Sequence, residues 1–191
     1  MITLYGSVTS PYVRRLRILL EDHDYEFSNV QLFNPEHRSM LKEKNPTLKI
    51  PMLQDGEKVI FDSRVIFRYV TEKLGLPAIS WEQENLLTLI DSVNDSMVQM
   101  YILSNSGIDT SEDRLYFNVQ RERMGEVFQT LEKEVQSGSF NHWDYPAICL
   151  YCMLDWFNFR KLYDFSEYSA VSKFYADNKE RSIVKETVPH D

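Results

Sequence analysis

The sequence is poor in cysteine, with only Cys149 and Cys152 among its 191 residues. So few thiols exclude the small disulfide-stapled domains that are typical of secreted proteins. The sequence also lacks any apolar run of the roughly 18 residues that a membrane-spanning helix needs. Its first residues, MITLYGSVTSPY, show no basic start followed by an apolar block, so we expect no signal peptide. These absences together favour a cytoplasmic protein without structural disulfides.

Positive charge is scarce as well. Lys and Arg number 21 against 29 Asp and Glu, which gives a formal net charge of −8. Nucleic acids and anionic membranes are bound by clustered positive charge, so we expect neither as a main partner. Apolar residues are abundant, at 43% hydrophobic and 13% aromatic. A chain of this length and composition can bury a real core in one large domain or two small ones.

As far as residue 74, the pattern alternates between predicted strands and predicted helices. Asp55-Gly56 between two apolar runs is a hairpin signature, and Pro11 suits the first turn of a helix. This order predicts a small mixed sheet carrying helices, with the first two strands parallel through a right-handed crossover. The predicted elements are strands over 2–5 and 25–32, a helix over 11–23, a short helix or irregular segment over 35–44, strands in IPML and EKVIF, and a helix from Asp62-Ser63 to about 74.

The pattern changes after residue 74 and is then helical to the end. GLPAIS, residues 75–80, has the composition of a linker. Apolar residues recur at helical spacing over 86–101 and again over 115–131, which predicts two long helices. PAICLYCMLDWFNF, residues 146–159, is apolar nearly all round and is expected in the core of the second half. We therefore expect one domain over 1–74, a linker over 75–85 and an all-helical domain over 86–191.

Four stretches resemble the glutathione S-transferase family: LYGSVTSPYVRRLRILLE, NPTLKIPML, FDSRVIFRYV and, more weakly, NHWDYPAICL. They occur in the order that the family has and together sample most of the chain. The resemblance implies an α/β thioredoxin-like N-terminal domain followed by an all-α C-terminal domain. It also implies glutathione as co-substrate, a role in detoxification, and a homodimer whose contact is lined by the helices that start near Asp62 and Trp81.

The resemblance assigns the KIPML stretch to glutathione binding. Pro51 would be a cis-proline beside the site, and the backbone of Ile50 would pair with the cysteinyl part of the tripeptide, as in strand addition. Lys49 would lie near the glycyl carboxylate. His37 or Arg38 would join it there.

Asp62 and Ser63 match the family's acidic-Ser pair, which implies that they hold the γ-glutamyl end of glutathione. The chemistry agrees, because a carboxylate suits the ammonium group, and the N–H groups and hydroxyl at a helix start suit the carboxylate. The competing interpretation is that Asp62 or Ser63 only caps the helix that follows. The neighbouring KIPML stretch favours the binding role.

Ser10 stands where the family has a serine or cysteine, just before the first helix. A thiol with an ordinary pKa of about 8.5 needs a fall of roughly two units, or about 2.7 kcal/mol, to be mostly thiolate at neutral pH. A hydroxyl donor at the positive end of a helix supplies part of this. Ser10 is therefore the predicted catalytic residue, acting as a hydrogen-bond donor to the glutathione sulfur and not as a nucleophile. Thr9 is a close competitor and Tyr5 a weaker one.

Two other groups of residues have simpler interpretations. Arg14, Arg15 and Arg17 lie beyond the first turn of the predicted helix and are expected to form a solvated or salt-bridged face. Cys149 and Cys152 form a C-x-x-C pattern that resembles a redox or metal motif. They fall in an apolar helix far from Ser10 in sequence, so we expect buried structural thiols. No metal site is expected, since the four histidines are scattered.

The NHWDYP stretch departs from the family pattern. The family has Ser/Thr-x-x-Asp at the start of the core helix of its second domain, a reciprocal cap. Asn141 here replaces the Ser or Thr and is expected to cap that helix, with Asp144 returning the bond. Pro146 would then fall just past the first turn, where it removes a backbone donor.

The leading interpretation is a glutathione transferase-like enzyme that conjugates the tripeptide to a small electrophile. The sequence does not identify that electrophile. One alternative is a non-catalytic binding or regulatory module of the same fold, and another, a glutaredoxin-like oxidoreductase, is disfavoured because position 10 is Ser and not Cys. An apolar cleft beside the thiol would bind the second substrate, and its candidates are Val8, Tyr12, Met97, Met100 and Tyr101.

Overall fold

A computed structural model describes residues 1–32 and 34–190 of the chain. The chain forms two units, one made of Met1–Ala78 with Glu180–Asp191 and the other of Ile79–Lys179. The elements in chain order are β1 (Ile2–Gly6), α1 (Pro11–Leu19), β2 (Tyr25–Asn29), α2 (Pro35–Lys44), β3 (Met52–Asp55), β4 (Lys58–Phe61), α3 (Ser63–Leu74), α4 (Trp81–Asn105), α5 (Leu115–Ser137), α6 (Tyr145–Arg160), α7 (Ser169–Asn178) and α8 (Ser182–Glu186).

The first unit contains the predicted mixed sheet, with strand order β2-β1-β3-β4. β1 is parallel to β2 and antiparallel to β3, and β3 and β4 form the predicted hairpin. β2 is shorter than the predicted strand over 25–32, because β1 leaves the sheet after Gly6. The last bond between the two runs from the amide of Val30 to the carbonyl oxygen of Gly6, at 2.9 Å. A strand cannot continue once its partner has turned away.

β1 and α1 approach each other closely at Gly6. A Cβ atom on this residue would lie 2.3 Å from Cγ2 of Val13, which is inside any permitted contact distance. Val13 is fully buried, so it cannot turn aside into solvent. Only glycine therefore allows α1 to start where it does. α1 is also shorter than the predicted helix over 11–23. The chain turns after Leu20, where the amide of His23 donates to the carbonyl oxygen of Leu20.

Of the solvated or salt-bridged face expected on α1, solvent exposure is wrong for two of the three arginines. Arg14 is 2% exposed and Arg15 is 0% exposed. The guanidinium of Arg15 lies 4.9 Å from the centre of the Tyr12 ring. Only Arg17 keeps partial exposure, with its guanidinium over the ring of Phe27. Local sequence did not reveal the burial of Arg14, because its acceptors Val184 and Thr187 lie near the far end of the chain.

The second unit is helical, and α6 lies in its core as predicted. Cys149 and Cys152 are buried in α6 and form no disulfide. Phe128 of α5 meets four aromatic rings, and the nearest, that of Tyr163, is 4.7 Å away between ring centres. Within the described residues, no helix combines the length and the apolar character that crossing a bilayer requires.

The observed boundaries differ from the domain limits expected from the sequence. α4 begins at Trp81, inside the segment 75–85 that was expected to be a linker. A capping box starts it there, because Ser80 and Gln83 each accept a bond from the other's backbone amide. The residues from Glu180 onwards belong to the first unit and not to the helical one.

The cap of α6 also differs from the expected one. Asp144, and not Asn141, is the N-cap, and its Oδ1 accepts from the amide of Ala147 at 3.2 Å. Its Oδ2 accepts from Nε2 of Gln83 at 2.7 Å, which joins the starts of α4 and α6. Pro146 therefore lies within the first turn, where no intrahelical donor is lost. The helix begins three residues later than expected, since Asp144 itself serves as an efficient cap.

α7 receives its cap from a side chain on α5. Tyr168 at its N-cap position makes no side-chain cap bond. The carboxylate of Glu132 instead accepts from the amides of Ala170 and Val171, at 2.9–3.0 Å, and from the hydroxyl of Ser169. Burial raises the pKa of Glu132, but these bonds to the carboxylate outweigh that effect and leave the pKa below its ordinary value.

A lowered pKa in the folded state makes stability depend on pH. The contribution is complete above the unfolded pKa of about 4.3 and disappears as pH falls through the lower folded value. We predict that Glu132→Gln lowers the free energy of unfolding by about 1–2 kcal/mol at pH 7, since a charge-assisted cap is lost. The difference from wild type should shrink as the pH is lowered below about 4. Urea denaturation at several pH values measures both effects.

The matched control is Glu126→Gln, which changes an exposed carboxylate on the same helix. It should alter stability by less than about 0.5 kcal/mol. Equal losses in the two variants at neutral pH would contradict the capping role of Glu132.

Candidate functional site

Ser10 caps the N-terminus of α1. Its Oγ accepts from the amide of Val13 at 3.4 Å, and Pro11 occupies the first helical position. A hydroxyl that accepts through a lone pair still has its own hydrogen to donate. Ser10 is half-buried, so that hydrogen can reach an acceptor outside the helix. The arrangement gives a donor at the positive end of the α1 dipole, where a negative charge is favoured.

The hydroxyls of the two competitors have partners inside the protein. Thr9 Oγ1 lies 2.9 Å from Oγ of Ser7, and the Thr9 amide also donates to that atom. The Tyr5 hydroxyl donates to Oε1 of Gln54 at 3.4 Å, and Lys44 Nζ donates to the same oxygen at 2.7 Å. These contacts favour Ser10 over Thr9 and Tyr5 as a donor to a bound ligand.

The segment leading into β3 brings Ile50 and Pro51 to the edge of the core. The Ile50–Pro51 peptide bond is cis, the isomer expected from the KIPML stretch. Pro51 is buried, and Met52 after it pairs with Tyr5 across β1 and β3. Ile50 is half-buried against a small apolar cluster that includes Leu41.

Asn45 organises this segment, and sequence reasoning did not identify it. Its side chain is fully buried. Oδ1 accepts from the amide and the hydroxyl of Thr47 at 3.0 and 2.7 Å, while Nδ2 donates to the carbonyl oxygen of Lys49 at 2.9 Å. One amide therefore fixes the loop directly before Ile50. The available signal was Asn-Pro-Thr, since Asn commonly bonds to the backbone two residues on.

The basic candidates differ in their availability. Lys49 and Arg38 are exposed. His37 is engaged locally, because its Nδ1 accepts from the amide of Gln31 at 3.0 Å. This contact favours Lys49 and Arg38 as the side chains that could reach an anionic ligand.

Asp62 and Ser63 lie where β4 turns into α3. Asp62 caps α3, with Oδ1 accepting from the amides of Arg64 and Val65 at 2.9 and 3.3 Å. Its φ of 76° is in the left-handed region, which aspartate enters rarely and at a cost of about 1–3 kcal/mol. Such backbone conformations cluster at functional sites. Asp62 therefore makes the hydrogen bonds of a helix cap, but capping alone does not require its positive φ angle.

The five candidates for the second-substrate cleft divide between the two units. In the first unit, Val8 and Tyr12 are half-buried, and the Val8 amide donates to Oδ1 of Asn29. In the helical unit, Met97 is buried and Met100 is half-buried. Tyr101 makes an edge contact with Trp156, with ring centres 5.8 Å apart.

Metal chemistry has no arranged ligands in the part of the chain that the structure describes. No group of three or more His, Cys, Asp or Glu side chains there could hold a metal ion. The first unit instead brings together a hydroxyl at a helix N-terminus, a segment with a cis-proline and an acidic helix cap. These groups suit a charged peptide-like ligand.

Comparisons with known proteins bear on both units. Residues 4–78 match the family described as glutathione S-transferase, N-terminal domain. An uncharacterized GST-like protein of Escherichia coli K12, YibF, is 29% identical over 173 residues, with 83% of each chain covered. A glutathione S-transferase from Methylobacillus flagellatus KT, solved with glutathione bound, has a TM-score of 0.86 at 22% identity over 100% of both chains.

A second solved structure is a glutathione transferase family member from Pseudomonas fluorescens Pf-5, with bound S-(propanoic acid)-glutathione. Its TM-score is 0.83 at 25% identity, again over 100% of both chains. These likenesses confirm the predicted fold, an α/β thioredoxin-like domain followed by an all-α domain.

We predict that Asn45→Ala loosens the segment before Pro51. The variant leaves the Lys49 carbonyl and the Thr47 amide without their internal partner, which should cost about 1–3 kcal/mol of stability. Amide hydrogen exchange should also quicken over 47–50. Asn85→Ala, which alters an exposed residue of α4, serves as the control. A loss of stability no greater than in this control would contradict the role assigned to Asn45.

Proposed function

Because residues 4–78 match the N-terminal domain of the glutathione S-transferase family, we propose that this chain is a member that binds glutathione, stabilises its thiolate beside Ser10 and transfers the thiolate to a small electrophile. The observation that carries the proposal is the Ser10 hydroxyl at the N-terminus of α1, with its oxygen accepting from Val13 and its hydrogen available to a ligand. The solved relatives that hold glutathione or an S-substituted glutathione support the choice of ligand.

The tripeptide is held at its backbone and at both ends. The backbone of Ile50, just before cis-Pro51, pairs with the cysteinyl residue of glutathione, as an added strand does. Lys49 and Arg38 attract the glycyl carboxylate. Asp62 pairs with the γ-glutamyl ammonium, and the start of α3 at Ser63 suits the neighbouring carboxylate.

The chemistry begins with loss of the thiol proton to water. Ser10 Oγ–H donates to the sulfur and the α1 dipole favours the negative charge, so the thiolate is populated at neutral pH. The sulfur lone pair then forms a bond to the electrophilic carbon, and the leaving group departs with its electron pair or an adjacent unsaturated bond accepts the pair. Ser10 forms no covalent bond at any step.

The electrophile binds beside the thiolate, and the candidates for this contact in the first unit are Val8 and Tyr12. Conjugation of this kind suits a detoxification role in the cytoplasm. The identities of these apolar side chains do not indicate which electrophile is bound. A panel of activated halides, epoxides and enones is therefore the appropriate first assay. Turnover of none of them, with glutathione still bound, would favour a non-catalytic binding or regulatory module.

We also propose a homodimer. Val65 on α3 is 51% exposed and Trp81 at the start of α4 is 81% exposed. These two side chains stand on the helices that the family resemblance assigns to the dimer contact. Light scattering at micromolar concentration should give the mass of a dimer, and a monomer mass would contradict the proposal.

Ser10→Ala tests the central role directly. The loss of one charge-assisted hydrogen bond, worth about 1.5–3 kcal/mol, should raise the pKa of enzyme-bound glutathione by roughly one to two units. Turnover at neutral pH should fall by about ten- to a hundredfold and recover in part as the pH rises. Ultraviolet absorbance of the thiolate, titrated against pH, measures the pKa.

Thr9→Val is the matched control, since it removes a neighbouring hydroxyl that already contacts Ser7. Its titration curve should overlay that of the wild type. A shift in Thr9→Val with none in Ser10→Ala would reassign the donor to Thr9. The absence of a thiolate signal in all three proteins would overturn the transferase mechanism.

A further inference from the structure

Arg14 is a buried cation that joins α1 to α8. Its guanidinium nitrogen Nη2 donates to the carbonyl oxygen of Val184 at 2.9 Å, and Nε donates to Oγ1 of Thr187 at 3.2 Å. Arg14 and Thr187 are each 2% exposed. Both bonds lie within the first unit, to which the residues from Glu180 onwards belong. A residue of the first helix is thus held by a segment 170 positions further along the chain.

The acceptors belong to the C-terminal end of α8. The last carbonyl groups of a helix have no partner further along it and need one from elsewhere. Arg14 provides that partner for Val184, and the Thr187 hydroxyl donates to the carbonyl oxygen of Ile183 at 2.6 Å. The Thr187 hydroxyl therefore accepts a hydrogen bond from Arg14 and donates one to a carbonyl group of α8. A cation at this end of a helix is also favoured by the dipole.

The same arginine closes the first turn of α1. Its backbone amide donates to the carbonyl oxygen of Ser10 at 3.0 Å. Ser10 lies four residues earlier, about 6 Å along the helix axis. Any shift or rotation of Arg14 relative to α8 therefore moves the Ser10 cap with it, because the helix transmits the displacement as a rigid element.

A buried guanidinium is a poor source of stability by itself, since desolvation offsets most of its attraction and an apolar side chain often does as well. Apolar contacts are not directional, however, so an apolar side chain would not fix the orientation of the helix. The bonds from Arg14 to Val184 and Thr187 fix one orientation of α1 about its axis, while the Gly6–Val13 contact fixes the distance to the sheet. Orientation is what a hydroxyl needs in order to aim at a sulfur atom.

We propose that Arg14 is a positioning residue for the thiolate site, acting through Val184 and Thr187 to hold the Ser10 hydroxyl in line with bound glutathione. This inference rests on the proposed function. It makes the residues around α8 part of the glutathione-binding unit.

The test uses Thr187→Val, which removes the relay hydroxyl and keeps the shape, with Thr187→Ser as the conservative rescue. In Thr187→Val the pKa of bound glutathione should rise by about half a unit to one unit, so the thiolate fraction at pH 7 falls by about 1.5- to threefold from a wild-type pKa of about 6.5. Thr187→Ser should keep the wild-type pKa. Affinity for S-methylglutathione, which has no thiol to align, should change by less than about twofold in both variants.

Arg14→Gln is the more direct variant, and Thr187→Val keeps the test decisive if Arg14→Gln does not fold. A wild-type protein that shows a thiolate signal, with an unchanged pKa in Thr187→Val, overturns this inference alone. Loss of S-methylglutathione affinity in step with the pKa rise would indicate general damage to the unit and also overturns it. A wild-type protein that binds neither glutathione nor S-methylglutathione overturns the proposed function and the inference together.

Discussion

The contact between Gly6 and Val13 sets the position from which the rest of the site is built. With no Cβ at Gly6, β1 and α1 meet at a distance that any other residue would forbid. β1 then ends, the chain turns through Ser7 to Ser10, and α1 begins with Ser10 as its cap. The hydroxyl thus lies just beyond the C-terminal end of β1, a central strand of the sheet. β1 lies between β2 and β3 in the sheet, and Ile50 and Pro51 directly precede β3.

Local charges, and not the net charge, explain how an acidic protein would hold an anionic tripeptide. Charges separated by more than about 10 Å are largely screened at 0.1 M salt. The groups proposed to contact the ligand are the N-termini of α1 and α3, the exposed Lys49 and Arg38, and one acidic side chain, Asp62, which pairs with the ammonium group of the ligand. Most of the acidic side chains that give the net charge of −8 lie elsewhere in the chain. A preorganised helix end also costs no rearrangement when the thiolate forms.

Features that depend on near neighbours in sequence could be predicted, and features that depend on distant segments could not. The starts of α1 at Pro11 and of α3 at Asp62-Ser63, the β3–β4 hairpin and the buried α6 follow from residues a few positions apart. The burial of Arg14 depends on acceptors at Val184 and Thr187, and the cap of α7 depends on Glu132 from another helix. In a sequence these charged residues are typical of a surface. Asn45 is intermediate, because its Asn-Pro-Thr signal is local but indicates a turn and no specific partner.

The most direct test of the account is a crystal structure of the protein with glutathione bound. The account predicts the cysteinyl backbone paired with Ile50, the sulfur within hydrogen-bonding distance of Ser10 Oγ, and the γ-glutamyl end at Asp62 and Ser63. The Arg14 bonds to Val184 and Thr187 should persist in that complex. Glutathione bound with its sulfur facing Thr9 or Tyr5, or bound away from the start of α1, would contradict the account.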